Sequence, residues 1–154
     1  MEFLGHFNHR KIYYISTKEH PQWRSSLPKK DWATFTIVNE ENESGVPLMV
    51  SACVDACVDY ICCAGEIASL THDYFDEEIV WRSVDNNSPK TDYSPLTTFH
   101  SSISEGFWYC CQLENDEDYS TETIVCIDLT RKKVKNLLKE LIEKMKSGWL
   151  PEGN

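Results

Sequence analysis

Between Asp31 and Thr130 the chain has almost no positive charge. Arg82 and Lys90 alone stand there against twenty acidic residues, a net of −18. Net charge governs solubility and partner choice rather than fold. A surface of that sign excludes nucleic acid and anionic membrane as its main partners and permits a basic protein. Other absences narrow the field further. No apolar run approaches the ~20 residues needed to span a bilayer. The start, Met1-Glu2-Phe3-Leu4-Gly5-His6, has neither the basic n-region nor the apolar core of a secretory signal. A cytoplasmic location is therefore expected.

There is no Cys-x-x-Cys, which removes the thioredoxin-like option, and no G-x-S-x-G nucleophile elbow. A phosphate site would need a glycine-rich loop after the first βα strand. The segment there, Asn39-Glu40-Glu41-Asn42-Glu43-Ser44-Gly45, instead offers three carboxylates that repel phosphate. Nucleotide binding of the Rossmann or P-loop type is not expected. Asp76-Glu77-Glu78 and Asp116-Glu117-Asp118 have the oxygen ligands for Mg²⁺ or Ca²⁺, but neither matches an EF-hand loop, so a solvated face is expected. No metal and no cofactor are expected.

What is present is a chain of 154 residues, long enough for one well-buried core, with basic flanks of +4 over residues 1–30 and +4 over residues 131–154. The seven cysteines, Cys53, Cys57, Cys62, Cys63, Cys110, Cys111 and Cys126, are odd in number and include two adjacent pairs. Four thiolates around Cys53, Cys57, Cys62 and Cys63 could hold zinc, but neighbours on a strand point to opposite faces, so Cys62 and Cys63 cannot reach one ion. Reduced core thiols are the expectation, since free Cys behaves as a small hydrophobe.

Residues 1–30 read as a lead-in with one β-like run, Lys11 to Ile15, placed on a sheet edge. Further strands are expected at Trp32–Val38, Tyr60–Ala64, Leu96–His100 and Thr123–Ile127, rich in β-branched, aromatic and apolar residues. Between them the apolar spacing predicts helices at Leu48–Val58, Glu66–Val84 and Ile103–Leu113, with a terminal helix at Arg131–Ser147 stopped by Gly148. In the second helix Ile67, Leu70, Tyr74 and Trp81 mark the apolar stripe, widened by Phe75 and Ile79, and Asp73, Asp76 and Glu77 face away. Ser102 with Glu105 forms a capping box. Strands alternating with helices imply parallel neighbours. The expected fold is a single α/β domain over residues 1–154, a three-layer sandwich with a mostly parallel sheet of four or five strands and helices on both faces. The terminal helix region spans residues 131–148.

In open α/β sheets ligands sit beyond the strand carboxyl ends. These ends carry Asn39-Glu40, Gly65-Glu66, His100-Ser101-Ser102 and Asp128. His100 beside Ser101 and Ser102, with Asp128 as orienting acid, has the composition of a hydrolytic triad. The competing reading is that Ser101 or Ser102 caps the helix and His100 hydrogen-bonds locally, which is the commoner use of such residues. The lysines of the terminal helix line its polar face, where Glu140 and Lys144 form a favourable pair.

Cys57–Gly65, Thr71–Ile79, and Thr97-Thr98-Phe99-His100 with Glu105-Gly106-Phe107-Trp108 together resemble an uncharacterised bacterial α/β domain family over about residues 48–113. In that family a strand ending in Ala-Gly leads a long acidic helix, and a Thr-Thr-Trp-His-like strand leads a helix ending in aromatics. Phe99 stands where that pattern has Trp. Size, charge and the lack of a catalytic signature also resemble the immunity proteins of contact-dependent growth inhibition. That resemblance implies a small cytoplasmic protein that neutralises a cognate, basic, nuclease-type toxin through its acidic surface. Contacts are then expected at Asp73, Asp76, Glu77, Glu114, Asp116, Glu117 and Asp118, with Tyr109 as an anchor. The alternatives are a small hydrolase using the His100 group, or a non-catalytic subunit of a larger complex.

Overall fold

The computed structural model describes residues 1–88, 92–114 and 120–152. It is an α/β fold with four helices and a six-stranded mixed sheet in the order β1-β2-β6-β3-β4-β5. The strands are β1 (Glu2–Phe7), β2 (Arg10–Ser16), β3 (Trp32–Ile37), β4 (Tyr60–Ala64), β5 (Leu96–His100) and β6 (Thr123–Asp128). Four of the five pairings are parallel, and only β1 runs antiparallel to β2. The helices are α1 (Val46–Asp55), α2 (Ala68–Val84), α3 (Ile103–Cys111) and α4 (Lys135–Lys146).

The expectation of four or five strands is one short. Residues 2–7 form β1 and fold back on β2 through Asn8-His9, both with positive φ (50° and 68°). Two such residues between paired strands make the hairpin turn whose twist matches the sheet. β1, not β2, is therefore the edge, and β2 lies inside, paired along its length with β6. The hairpin escaped notice because its turn lacks the usual Asn-Gly.

Strand alternation divides the apolar side chains between two clusters. Ile61, Cys63, Val125 and Ile127 pack with Met49, Val50, Cys53 and Val54 of α1 and Phe75 of α2. Phe35, Ile37, Cys62, Ile124 and Cys126 pack with Phe107 and Cys110 of α3 and Leu138, Leu141 and Ile142 of α4. Every residue of β3 and β4 is buried, as central parallel strands require. Gly106 lets α3 come close: a Cβ there would lie 3.1 Å from the His100 Cβ and 3.3 Å from the Phe35 ring.

Helix α2 is turned slightly from its expected setting: Phe75 is buried and Ile67, Tyr74 and Ile79 pack on the core as expected, but Leu70 and Trp81 are exposed. The buried positions are Ala68, Thr71, Phe75 and Arg82, each one residue beyond Ile67, Leu70, Tyr74 and Trp81. Arg82 explains the rotation. Its Nε donates to Glu78 at 2.8 Å, Nη1 to Asp55 at 2.5 Å and Nη2 to the Ser51 hydroxyl at 3.1 Å, clamping α2 to α1. Burial disfavours its charge, but Glu78 and Asp55 outweigh that and hold its pKa above the usual value. Helix ends are also trimmed: α1 begins two residues earlier and stops at Asp55, and α4 begins at Lys135 rather than Arg131. The segment Glu40–Gly45 is a 3₁₀ turn rather than open loop.

All seven cysteines are free, and only Cys57 is partly exposed. Burial pushes the thiols of Cys53, Cys63, Cys111 and Cys126 upward, and the Cys110 thiol rises through its contact with Cys62 and then through burial. Burial raises Tyr14 and Tyr93 likewise. These groups keep their protons in the folded chain at pH values where the unfolded chain loses them. The unfolded state then binds fewer protons, so stability falls as pH rises. We expect the melting temperature, under reducing conditions, to drop steadily from about pH 8.5 upward, where free thiols begin to ionise. A melting temperature flat across that window contradicts the buried thiols.

Candidate functional site

Asp128 is not in the same place as His100. The paired register runs Asp128, Ile37, Ala64, His100 across β6, β3, β4 and β5. Three strand spacings of about 4.8 Å separate the two residues by roughly 14 Å. Asp128 is instead fully buried and saturated. Its Oδ1 accepts from the Thr130 amide (2.8 Å) and hydroxyl (2.6 Å), and its Oδ2 accepts from the Tyr14 hydroxyl (2.5 Å) and the Val134 amide (3.4 Å). It shapes the turn from β6 into α4.

The helix cap of the competing reading is present, but the local hydrogen bond it gives His100 is not found at Nε2 among the described residues. Ser102 caps α3, its hydroxyl accepting from the Glu105 amide at 3.2 Å, and Ser101 lies at the rim of an open cleft. That cleft, about 410 Å³, is lined by Gly65, Glu66, Ser69, Phe99, His100 and Glu105 among others. Nε2 of His100 is buried with no hydrogen-bond partner among the described residues. Burial lowers the His100 pKa, with Glu105 opposing at 4.0 Å from Nδ1. The ring packs on Tyr109 with centroids 5.1 Å apart. Among the described residues, His100 thus has neither Asp128 as its orienting acid nor a hydroxyl bonded at Nε2, as the expected triad needs.

The strand order reverses between β3 and β6, the topological switch point where α/β folds place ligands. A cleft of about 450 Å³ sits there, lined by Asn39, Glu40, Glu41, Glu66 and Lys132. The Glu40 amide donates to Glu66 at 3.0 Å. Three carboxylates against one lysine make this crevice hostile to phosphate. Gly65 at its margin has φ +101°, and a Cβ there would meet the Val38 carbonyl at 3.0 Å, so the β4–α2 turn admits only glycine without strain.

The acidic side chains expected to bind a partner fall in two places. Asp73 and Glu77 stand exposed on the outward side of α2, whereas Asp76, expected to face away, is half-buried at the flank and accepts from the Thr97 hydroxyl of β5. Glu114 follows α3 on the other side of the sheet, its carbonyl accepting from the Tyr60 hydroxyl at the start of β4. Asp116, Glu117 and Asp118 lie outside the described residues. The two segments therefore do not share a helix-covered face. β5 links the α2 group to α3, because Phe99 packs on His72 (5.1 Å) while its neighbour His100 packs on Tyr109.

Sequence reasoning did not single out His72. It sits four residues before Asp76, one helical turn, and Thr97 of β5 reaches both. The Thr97 hydroxyl lies 3.0 Å from His72 Nε2 and 3.0 Å from Asp76 Oδ1. His72 Nδ1 lies 3.3 Å from Asp76 Oδ2 and 3.7 Å from Asp73 Oδ1. The i, i+4 spacing was a legible signal, but the threonine partner comes from a strand twenty-one residues beyond Asp76.

The model of a family described as Domain of unknown function (DUF7684) matches residues 10–145. No curated protein and no solved structure matches the chain.

If Asp128 is a structural anchor, removing it costs stability first. Hydrogen bonds to a charged group are worth about 1.5–3 kcal/mol each, and the buried Tyr14 hydroxyl would be left unsatisfied. We expect Asp128→Ala to destabilise the protein by at least about 3 kcal/mol. For a chain of this size that is a fall of roughly 6–12 °C in melting temperature. A loss under about 1 kcal/mol would show that the network is not holding the β6–α4 turn.

Proposed function

We propose that this chain, which belongs to the DUF7684 family, is an immunity-type binding protein that neutralises a basic, nuclease-type protein toxin. The observation that carries this reading is the outward side of α2. Two helical rows run along it, Asp73-Glu77-Trp81 and Asp76-Val80-Val84, acidic in the first half and apolar in the second. Trp81 is 55% exposed, Val80 61% and Val84 75%, and Phe99 of the adjoining β5 is 51% exposed. Large apolar side chains bordered by carboxylates have the make-up of an interaction surface, with anchors supplying affinity and charge supplying steering. Arg82, the one arginine or lysine between Asp31 and Thr130 among the described residues, is turned inward to Asp55 and Glu78 and puts no positive charge on this surface.

On this reading Tyr109 and Glu105 extend the contact across β5, and Glu114 belongs to a separate border. The fold acts as a rigid three-layer sandwich that presents α2, and the protein works in the cytoplasm, where the toxin would act. Rim charges alter the association rate more than the final affinity, whereas a central aromatic alters the dissociation rate.

The test is binding kinetics with the product of the adjacent gene. Glu77→Lys should slow association several-fold at low salt, with the difference shrinking at high salt. Trp81→Ala should weaken binding by about 30-fold, the loss of about 2 kcal/mol expected of an anchor. A partner that binds both variants as it binds the parent chain, or the absence of binding, overturns the reading.

A further inference from the structure

We propose that His72, Asp73 and Asp76 form a binding site for a divalent metal ion of the zinc class, with Thr97 orienting the imidazole. The inference does not rest on the partner-binding reading, although the two share Asp73 and Asp76. The donor set is one imidazole nitrogen and two carboxylate oxygens. These are ligand types that suit zinc and its first-row neighbours.

Counting hydrogens leaves one contact of the group without a donor. Three short contacts connect the group: His72 Nε2 to Thr97 Oγ1, Thr97 Oγ1 to Asp76 Oδ1, and Asp76 Oδ2 to His72 Nδ1. A neutral imidazole and one hydroxyl supply only two hydrogens for these three contacts. When Nε2–H donates to Thr97 and Thr97 donates to Asp76, the Nδ1 lone pair faces carboxylate oxygens of Asp76 and Asp73 with nothing between them. That lone pair and the facing carboxylate oxygens are donor atoms aimed at one point, the arrangement that ligates a divalent cation.

The spacing admits the metal ion. Zinc bonds to nitrogen and oxygen ligands are about 2.0–2.2 Å, which puts tetrahedral neighbours about 3.3–3.6 Å apart. The distances from His72 Nδ1 are 3.3 Å to Asp76 and 3.7 Å to Asp73, and all three ligand atoms lie within 4.8 Å of one another. The surrounding contacts are those of a metal-ligating histidine, whose second nitrogen donates to a fixed acceptor. Here Thr97 is that acceptor, and its own hydrogen fixes the other oxygen of Asp76. Phe99 packs edge-on against the His72 ring and limits its rotation. Both aspartates keep solvent exposure, which leaves an entry path and a fourth position for water.

The experiment is a Zn²⁺ titration of the full, reduced chain against a chromophoric chelator, repeated with His72→Ala, Asp76→Asn and Thr97→Val. One equivalent should bind saturably, and His72→Ala and Asp76→Asn should weaken it at least tenfold. Thr97→Val, which removes no ligand, should weaken it by about 10- to 100-fold, as loss of an orienting partner does. With Co²⁺ in place of Zn²⁺, the spectrum should lack a thiolate charge-transfer band, which separates this site from the cysteines. Ring-nitrogen NMR of the parent chain, which needs no variant to fold, should show Zn²⁺ moving His72 Nδ1 while Nε2 keeps its hydrogen. No saturable binding, equal binding in all the variants, a thiolate band, or an unmoved Nδ1 overturns the proposal.

Discussion

A carboxylate with no exposure to water, Asp128, ties three segments of this chain together. It receives the Tyr14 hydroxyl from β2, and the Thr130 and Val134 amides from the turn that leads to α4. A buried charge is tolerated only when its oxygens are filled with donors. Here both oxygens are filled. The consequence is that β6, between β2 and β3, ends in a fixed turn, and α4 is delivered onto the cluster of Ile12, Phe35 and Ile124. The same saturation removes Asp128 from chemistry, because none of its lone pairs is aimed at a cleft.

With that strand end committed to structure, the remaining chemistry moves to the opposite border. β5 closes the sheet and carries two different faces. Thr97 and Phe99 turn toward α2, and His100 turns toward α3. The Leu96 amide donates to Asp59 of the segment entering β4, so in a parallel ladder the amides of Thr97 and Phe99 point outward. An open strand edge with exposed Leu96 and Phe99, packed on a helix that exposes carboxylates, Val80 and Trp81, is an unusual concentration of features that folded proteins otherwise keep covered.

Much of the fold was legible in the sequence because its signals were local. The apolar runs at 32–38, 60–64 and 123–127, the Ser102 cap and the Gly148 stop each act through neighbours in the chain. What was hidden depended on distant partners. Trp81 and Leu70 outweighed Ala68 and Thr71 as markers of a buried stripe, until Arg82 found Asp55 on another helix and turned α2 slightly. Asp128 looked like a free strand-end acid because nothing near it in sequence announces Tyr14. His72 carried a visible i, i+4 acid, but its meaning required Thr97 from β5. Asn8-His9 makes a hairpin turn without the glycine that usually signals one.

The central claim is a division of labour: a saturated, rigid anchor at the β6–α4 turn and an open border at β5. Native-state amide hydrogen exchange resolved by residue tests it directly, since exchange reports the opening energy of each hydrogen bond. The account predicts that the Thr130 amide exchanges only through global unfolding, with the protection of the β6 core, while the outward amides of Thr97 and Phe99 exchange orders of magnitude faster. A Thr130 amide that exchanges as fast as a loop, or Thr97 and Phe99 amides as protected as those of β3, would contradict it.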